Sequence, residues 1–220
     1  MKVLLVTKDN PFGKMAETML RGAGWEVRTA PAQAPGQALP DWVREWEGDF
    51  LVSFLAQWVV PAAVLARVRV QAVNFPPGPP EFPGTGCYNF ALYQEAPAYG
   101  ATCHLMTARV DAGAILAVRR FPVLPAESVA SLRDRTISHL LALLDQWLCA
   151  QLAGSPLAPC GETWKGPATT RRQLEALAEV TLDMDPAEIL RRARAMHYPG
   201  FPGARLKVGG KTFALLPDPN

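Results

Sequence analysis

Asn74 is the next-to-last residue of an apolar run, Val70-Gln71-Ala72-Val73-Asn74-Phe75, and a proline-rich loop follows at once, Pro76-Pro77-Gly78-Pro79-Pro80-Glu81-Phe82-Pro83-Gly84. A side-chain amide offers two donors and an acceptor, so an amide held still at a strand end can bind and polarise a ligand. Five of the eleven residues 74–84 are proline. Proline fixes φ and has no N–H, so this stretch is neither helix nor interior strand. A stiff loop there would hold Asn74 in place and wall one side of a cleft. In an open parallel sheet, ligands sit beyond the carboxyl ends of the strands, which is where Asn74 falls. The plainer reading is that Asn74 bonds main-chain groups at a strand end, as asparagine often does. Both readings fit these residues taken alone.

Other chemistries find no support. The loop after the first apolar run, Lys8-Asp9-Asn10-Pro11-Phe12-Gly13-Lys14, lacks GxGxxG, so a dinucleotide fingerprint is absent. Phe12-Gly13-Lys14 lacks the earlier glycine of a P-loop, and no GxSxG provides a nucleophile elbow. The four cysteines, Cys87, Cys103, Cys149 and Cys160, show no CxxC spacing. The three histidines, His104, His139 and His197, lie far apart. No metal site is therefore expected. Without a secretory signal, reduced thiols in a cytoplasm are the simplest expectation.

A chain of 220 residues allows one fair-sized domain, or one with a small appendage. Apolar residues make up 49% and charged residues 19%, enough for a real core and against disorder. A net charge of +2 is too small to argue for nucleic acid or a membrane surface as partner. The apolar stretch 50–70 is broken by Gln57, Pro61 and Arg67, short of the ~20 apolar residues of a spanning helix. The N-terminal run 2–7 reads as a first strand rather than a signal peptide.

The elements that must position Asn74 alternate between strand and helix. Strands are expected at 2–7, 25–30, 50–55 and 70–75, with helices at 14–22 and 39–47 and a short one from Pro61 to about Arg67. Such βα repeats argue for a parallel, doubly wound α/β sheet. A helix at 87–95 follows the proline loop. Strands at 100–108 and 114–123 then follow without a helix between them, so the sheet becomes mixed at this end. Val129, Leu132, Ile137, Leu140, Leu141, Leu144, Trp147 and Leu148 recur at helical spacing in a long helix, 127–153. These observations predict a main domain over 1–153, a Gly/Pro-rich linker over 154–170 and a small C-terminal extension over 171–220. In the extension, Thr170 with Gln173 and Asp185 with Glu188 fit capping boxes, for helices at about 171–179 and 186–195. Leu206 to Leu215, around Gly209-Gly210, is a hairpin signal.

The segment 74–84, followed by Gly100-Ala101-Thr102-Cys103-His104 and by Asp111-Ala112-Gly113-Ala114-Ile115-Leu116, resembles the formyltransferases that use N10-formyltetrahydrofolate. These act on glycinamide ribonucleotide, methionyl-tRNA or sugar nucleotides. Residues 49–65 resemble the family's third strand and its following loop, and residues 194–204 the tail of its smaller members. The resemblance is strongest over 49–123 and implies a Rossmann-like formyltransferase fold. It also implies a site made of an Asn, a His two residues later and an Asp on a later loop. Asn74 and Asp111 match the first and last. Pro76 stands where the histidine should be.

An amine attacking a formyl group makes a tetrahedral oxyanion, and a proton must pass from the amine to the leaving nitrogen. The resemblance gives Asn74 a donor role at that oxygen and Asp111 the role of proton acceptor. The family's histidine would supply a second donor and an acid, and proline can replace it in neither role. His104 stands seven residues before Asp111 and is a family feature of the cleft wall; it either orients Asp111 or serves as the acid itself. Cys103 alternates to the other face and is expected in the core. The resemblance places the pterin against backbone groups of two loops, which assigns Leu55, Gln57, Trp58, Val110 and Gly113 to cofactor binding. Tyr88 and Asn89 either face an acceptor or cap their helix. The expected activity is formyl transfer from N10-formyltetrahydrofolate to the amine of a small molecule, a sugar nucleotide or an amino-acid-like compound. Hydrolysis of the formyl donor by water, and a non-catalytic folate- or partner-binding protein, are the alternatives that Pro76 keeps open. No nucleic acid or membrane partner is expected. The C-terminal hairpin and helices either form a homodimer contact or only close the cleft.

Overall fold

Strand β1 (Lys2–Lys8) buries all five of its inner residues, as a strand covered on both faces must. Its continuous apolar run, Val3 to Val6, is the reason. It lies between β2 (Glu26–Ala32) and β3 (Gly48–Phe54) and pairs with both in parallel. β3 in turn pairs in parallel with β4 (Val68–Phe75). β5 (Ala98–Leu105) pairs antiparallel with β4 through Val73↔Leu105 and Asn74↔His104. With β6 (Ile115–Pro122) at the far edge, the order is β2-β1-β3-β4-β5-β6. The mixed end expected from the missing helix between β5 and β6 is present. The computed structural model describes residues 1–34 and 36–217, and the chain forms two compact units.

The first unit holds residues 1–77, 101–119 and 137–164. One face of its sheet is covered by α1 (Pro11–Gly22) and by the later turns of α5 (Val129–Leu152). Trp25 stacks on Phe50 at 4.9 Å, and Trp147 meets both edge-on. Trp147 is fully buried, and its indole N–H is satisfied by Gln71 Oε1 at 2.8 Å. The opposite face packs Leu4, Val6 and Leu51 against Val43 of α2 (Asp41–Glu45) and Val64 of α3 (Ala62–Leu65). α1 begins at Pro11, three residues before the expected start. Asn10 caps it by accepting from Gly13 N at 2.8 Å, and proline suits the first helical position. α2 is half the expected length because Trp46 turns to an extended conformation after it.

The second unit holds residues 78–100, 120–136 and 165–220. α4 (Cys87–Tyr93), Tyr99, Phe121, the first turns of α5 and α7 (Pro186–Met196) share a small core. Asn89 donates to Ala195 O at 2.7 Å, so it does not cap α4, whose N-cap is Gly86, and its amide nitrogen is committed to α7. Tyr88 packs on Tyr99, and burial pushes both phenols well above the ordinary tyrosine range. The Thr170–Gln173 capping box of α6 (Arg171–Leu177) forms as expected. The second box does not. Asp185 caps Ala187 N, but Glu188 is taken by Arg191, Arg192 and Tyr93. A three-stranded sheet adds β7 (Glu179–Val180), too short to show in the sequence, to the expected hairpin of β8 (Ala204–Val208) and β9 (Lys211–Leu215).

Candidate active site

Register brings the first two polar groups together. Asn74 pairs across the ladder with His104, and on its other side with Ser53. Directly opposed residues share a face, so the amide and the imidazole meet with Asn74 Nδ2 3.1 Å from His104 Nε2. His104 Nδ1 lies 2.7 Å from the Leu105 carbonyl oxygen. A carbonyl only accepts, so Nδ1 carries the hydrogen. In the neutral ring Nε2 is then an acceptor, and one amide hydrogen of Asn74 is donated to it. His104 is 2% exposed. With both nitrogens committed to protein groups, it is a buried hub. Cys103, on the opposite face, lies in the core, and burial pushes its thiol far above the ordinary range.

Asp111 arrives on the loop between β5 and β6. Its Oδ1 lies 3.6 Å from His104 Nε2, and its side chain is 8% exposed against 2% for the imidazole. The loop is closed at its base by Leu105 N bonding Ala114 O at 2.9 Å, and Asp111 adopts a left-handed φ of 45°. Gly113 is required for steric reasons. A Cβ there would stand 1.7 Å from Leu105 O and 3.3 Å from His104 Nδ1. Only a glycine lets the turn close against the histidine.

A fourth residue escaped the sequence reading. Trp164 donates its indole N–H to Gly113 O at 3.0 Å and meets the His104 ring edge-on, centroids 5.0 Å apart. It belongs to the Gly/Pro-rich stretch expected to be a linker. Residues of that stretch instead make tertiary hydrogen bonds. In the first unit Cys160 N bonds Ile115 O; in the second Lys165 N bonds Pro80 O, and Thr169 bonds Pro83 and Thr85. An isolated tryptophan amid glycines and prolines was the available signal.

Pro76 follows the end of β4 and brings neither a side-chain donor nor an N–H. Leu55 begins the loop after β3 with φ of 53°, a left-handed conformation that costs a leucine roughly 1–2 kcal/mol. Leu55 and Asp111 are two of three non-glycine residues with positive φ among the described residues. Strain of this kind gathers at functional sites, and these two sit in the two loops expected to meet a pterin. Both loops present main-chain groups on sharp turns, which suits the flat, hydrogen-bonding edge of a pterin, so the residues present fit a folate. Val110 is well exposed. Gln57 and Trp58 bond instead to the loop after β2, Gln57 to Ala34 O and Trp58 to Gln37 O at 2.6 Å. Their side chains brace one loop against another.

The cluster of Asn74, His104 and Asp111 is able to polarise a carbonyl oxygen and take up one proton. Residues 7–144 match the family model described as Formyl transferase. The chain is 26% identical over 198 residues to the GDP-perosamine N-formyltransferase of Brucella melitensis, covering 89% of this chain and 74% of that one. A sugar N-formyltransferase from a Shewanella species shares its fold with a TM-score of 0.80 at 18% identity, over 98% of this chain and 96% of that one. HypX from Aquifex aeolicus in complex with tetrahydrofolic acid gives a TM-score of 0.72 at 21% identity, over 98% of this chain and 37% of the larger protein. Among the described residues, no helix is long and apolar enough to cross a membrane.

Proposed function

This chain belongs to the formyl transferase family and is a transferase, and on that premise we propose that it formylates the amine of a sugar nucleotide. N10-formyltetrahydrofolate supplies the formyl group. A new C–N bond forms to the acceptor amine, the bond from the formyl carbon to N10 breaks, and one proton travels from the amine to the departing nitrogen. Asn74 spends one amide hydrogen on His104 and offers the second to the formyl oxygen as negative charge develops there. Asp111, more exposed than His104, accepts the amine proton and passes it on to the departing nitrogen. Leu55, Val110 and Gly113 contribute main-chain groups to the pterin, with Gln57 and Trp58 bracing the Leu55 loop. The observation that carries this reading is the convergence of Asn74, His104 and Asp111 in a chain lacking the family's histidine at position 76.

The reading places the protein in a cytoplasm, where its four cysteines stay reduced. It also favours a homodimer through the hairpin, where Val208, Phe213 and Leu216 are exposed. Tetrahydrofolate release from N10-formyltetrahydrofolate, with and without amino-sugar nucleotides, tests the function. Release that depends on the amino sugar is expected. Release without any amine would make the chain a hydrolase, and no release even from Pro76→His would remove the catalytic reading. Pro76→His is expected to raise turnover by at least roughly tenfold, because one added oxyanion donor is worth about 10²–10³ in rate.

A further inference from the structure

Residues 154–164 are anchored before they reach the site. Leu157 packs against the main core of the first unit, and Cys160 N bonds Ile115 O at 2.9 Å. Four residues on, Trp164 performs two tasks with one side chain. Its N–H holds the Gly113 carbonyl, which sets the turn carrying Asp111. Its ring stands perpendicular to His104, the interplanar angle being 88°. The imidazole is then held by five residues. Leu105 O fixes Nδ1, Asn74 and Asp111 meet Nε2, Gly113 closes against the Nδ1 edge, and Trp164 blocks rotation of the ring.

We infer that Trp164 is a positioning residue, which locks the His104 tautomer and the Asp111 turn into one reactive arrangement. The inference rests on the formyl-transfer reading for its kinetic consequence, but not for its structural one. Asp111 sits on a strained left-handed turn at the end of a loop, and such a turn keeps its geometry only where its surroundings impose it. Trp164 imposes it by a hydrogen bond of ordinary length to a carbonyl two residues away. The same indole stands edge-on to the imidazole at 5.0 Å and keeps the ring seated against Leu105 O, which sets its tautomer.

The experiment compares Trp164→Phe and Trp164→Ala with the unmodified chain. Phenylalanine retains an edge against His104 and loses the bond to Gly113; alanine loses both. With amino-sugar nucleotide as acceptor, kcat is expected to fall roughly tenfold for Trp164→Phe and roughly 10²-fold for Trp164→Ala, the scale of an ångström-sized misplacement. KM for the acceptor should move less than about twofold, because on that side the loss is confined to the transition state. Nitrogen NMR of the imidazoles supplies the readout that a merely structural tryptophan would leave alone, and three histidines make assignment simple. His104 should show one protonated Nδ1 and one bare Nε2 in the unmodified chain and in Trp164→Phe, and an average over both tautomers in Trp164→Ala. Wild-type kcat and an unchanged His104 spectrum in both folded variants would overturn the inference. If Trp164→Ala does not fold, Trp164→Phe decides alone: a fall in kcat supports the inference and an unchanged kcat overturns it. If the unmodified chain transfers no formyl group, the functional reading fails, and the His104 spectrum of the two variants still decides the role of Trp164.

Discussion

Asn74 and Asp111 both converge on His104, but different parts of the chain deliver them. Asn74 is placed by a ladder: it is the cross-strand partner of His104, and register puts the amide on the same face as the imidazole. Asp111 is placed by a turn at the tip of a loop, and that turn depends on Gly113 below it and Trp164 beside it. The first arm is secured by local pairing, the second by a residue more than fifty positions away. A site built in this way has one rigid half and one half that distant changes are able to loosen.

Two substitutions separate the halves, and a third outside the site serves as their control. Asn74→Ala should cost the most, lowering kcat by about 10²–10³ through loss of a single oxyanion donor. Its melting temperature should fall only modestly, because the ladder remains and the unmet His104 Nε2 costs about 1–3 kcal/mol. Melting as severe as the kinetic loss would show the amide to be structural. Gly113→Ala should cost roughly 10² in kcat and lower the melting temperature too, since Leu105 O must give way by more than an ångström. An alanine tolerated there would mean that the turn is slack and the contrast false. Glu188→Gln, in the second unit, should cost least and leave kcat unchanged. The Arg192 guanidinium first, then Arg191, holds this carboxyl down to about 2 from its ordinary 4.5. A depressed carboxyl contributes stability that is present above about pH 4.5 and is lost as pH falls through about 2. In partly solvated surroundings that is at most about 1 kcal/mol. Urea unfolding should therefore show a small deficit for Glu188→Gln at pH 7 that vanishes near pH 2. A deficit that persists in acid would mean that another interaction was lost.

Sequence reasoning reached the ladder arm and stopped short of the other. The apolar runs of β1, β3 and β4 and the spacing in α5 are dictated by burial, so they can be read directly. Asn74 was visible because a polar group at the end of a buried strand stands out. The start of α1 was missed by three residues, although Asn10 and Pro11 carried the capping signal. Glu188 has the right spacing for a capping box, yet two arginines outbid the main chain for it. The pairing of Asn74 with His104 depends on an antiparallel register between β4 and β5 that no local pattern encodes. Trp164 lay in a stretch whose glycines and prolines suggest a passive connection. Its partners, Gly113 and His104, are fifty and sixty residues away, so composition could not find them. Leu55 and Asp111 illustrate a different limit, because left-handed backbone at a non-glycine residue leaves no mark on residue type.

The hydrogen bond that ties Cys160 to β6 gives the chain a built-in optical probe. Cys87 and Cys103 are buried, whereas Cys149 and Cys160 are exposed. After Cys149→Ser, a maleimide dye would therefore label a single thiol, four residues before Trp164. Its emission would report in real time whether the segment that braces the reactive turn stays seated as substrates come and go.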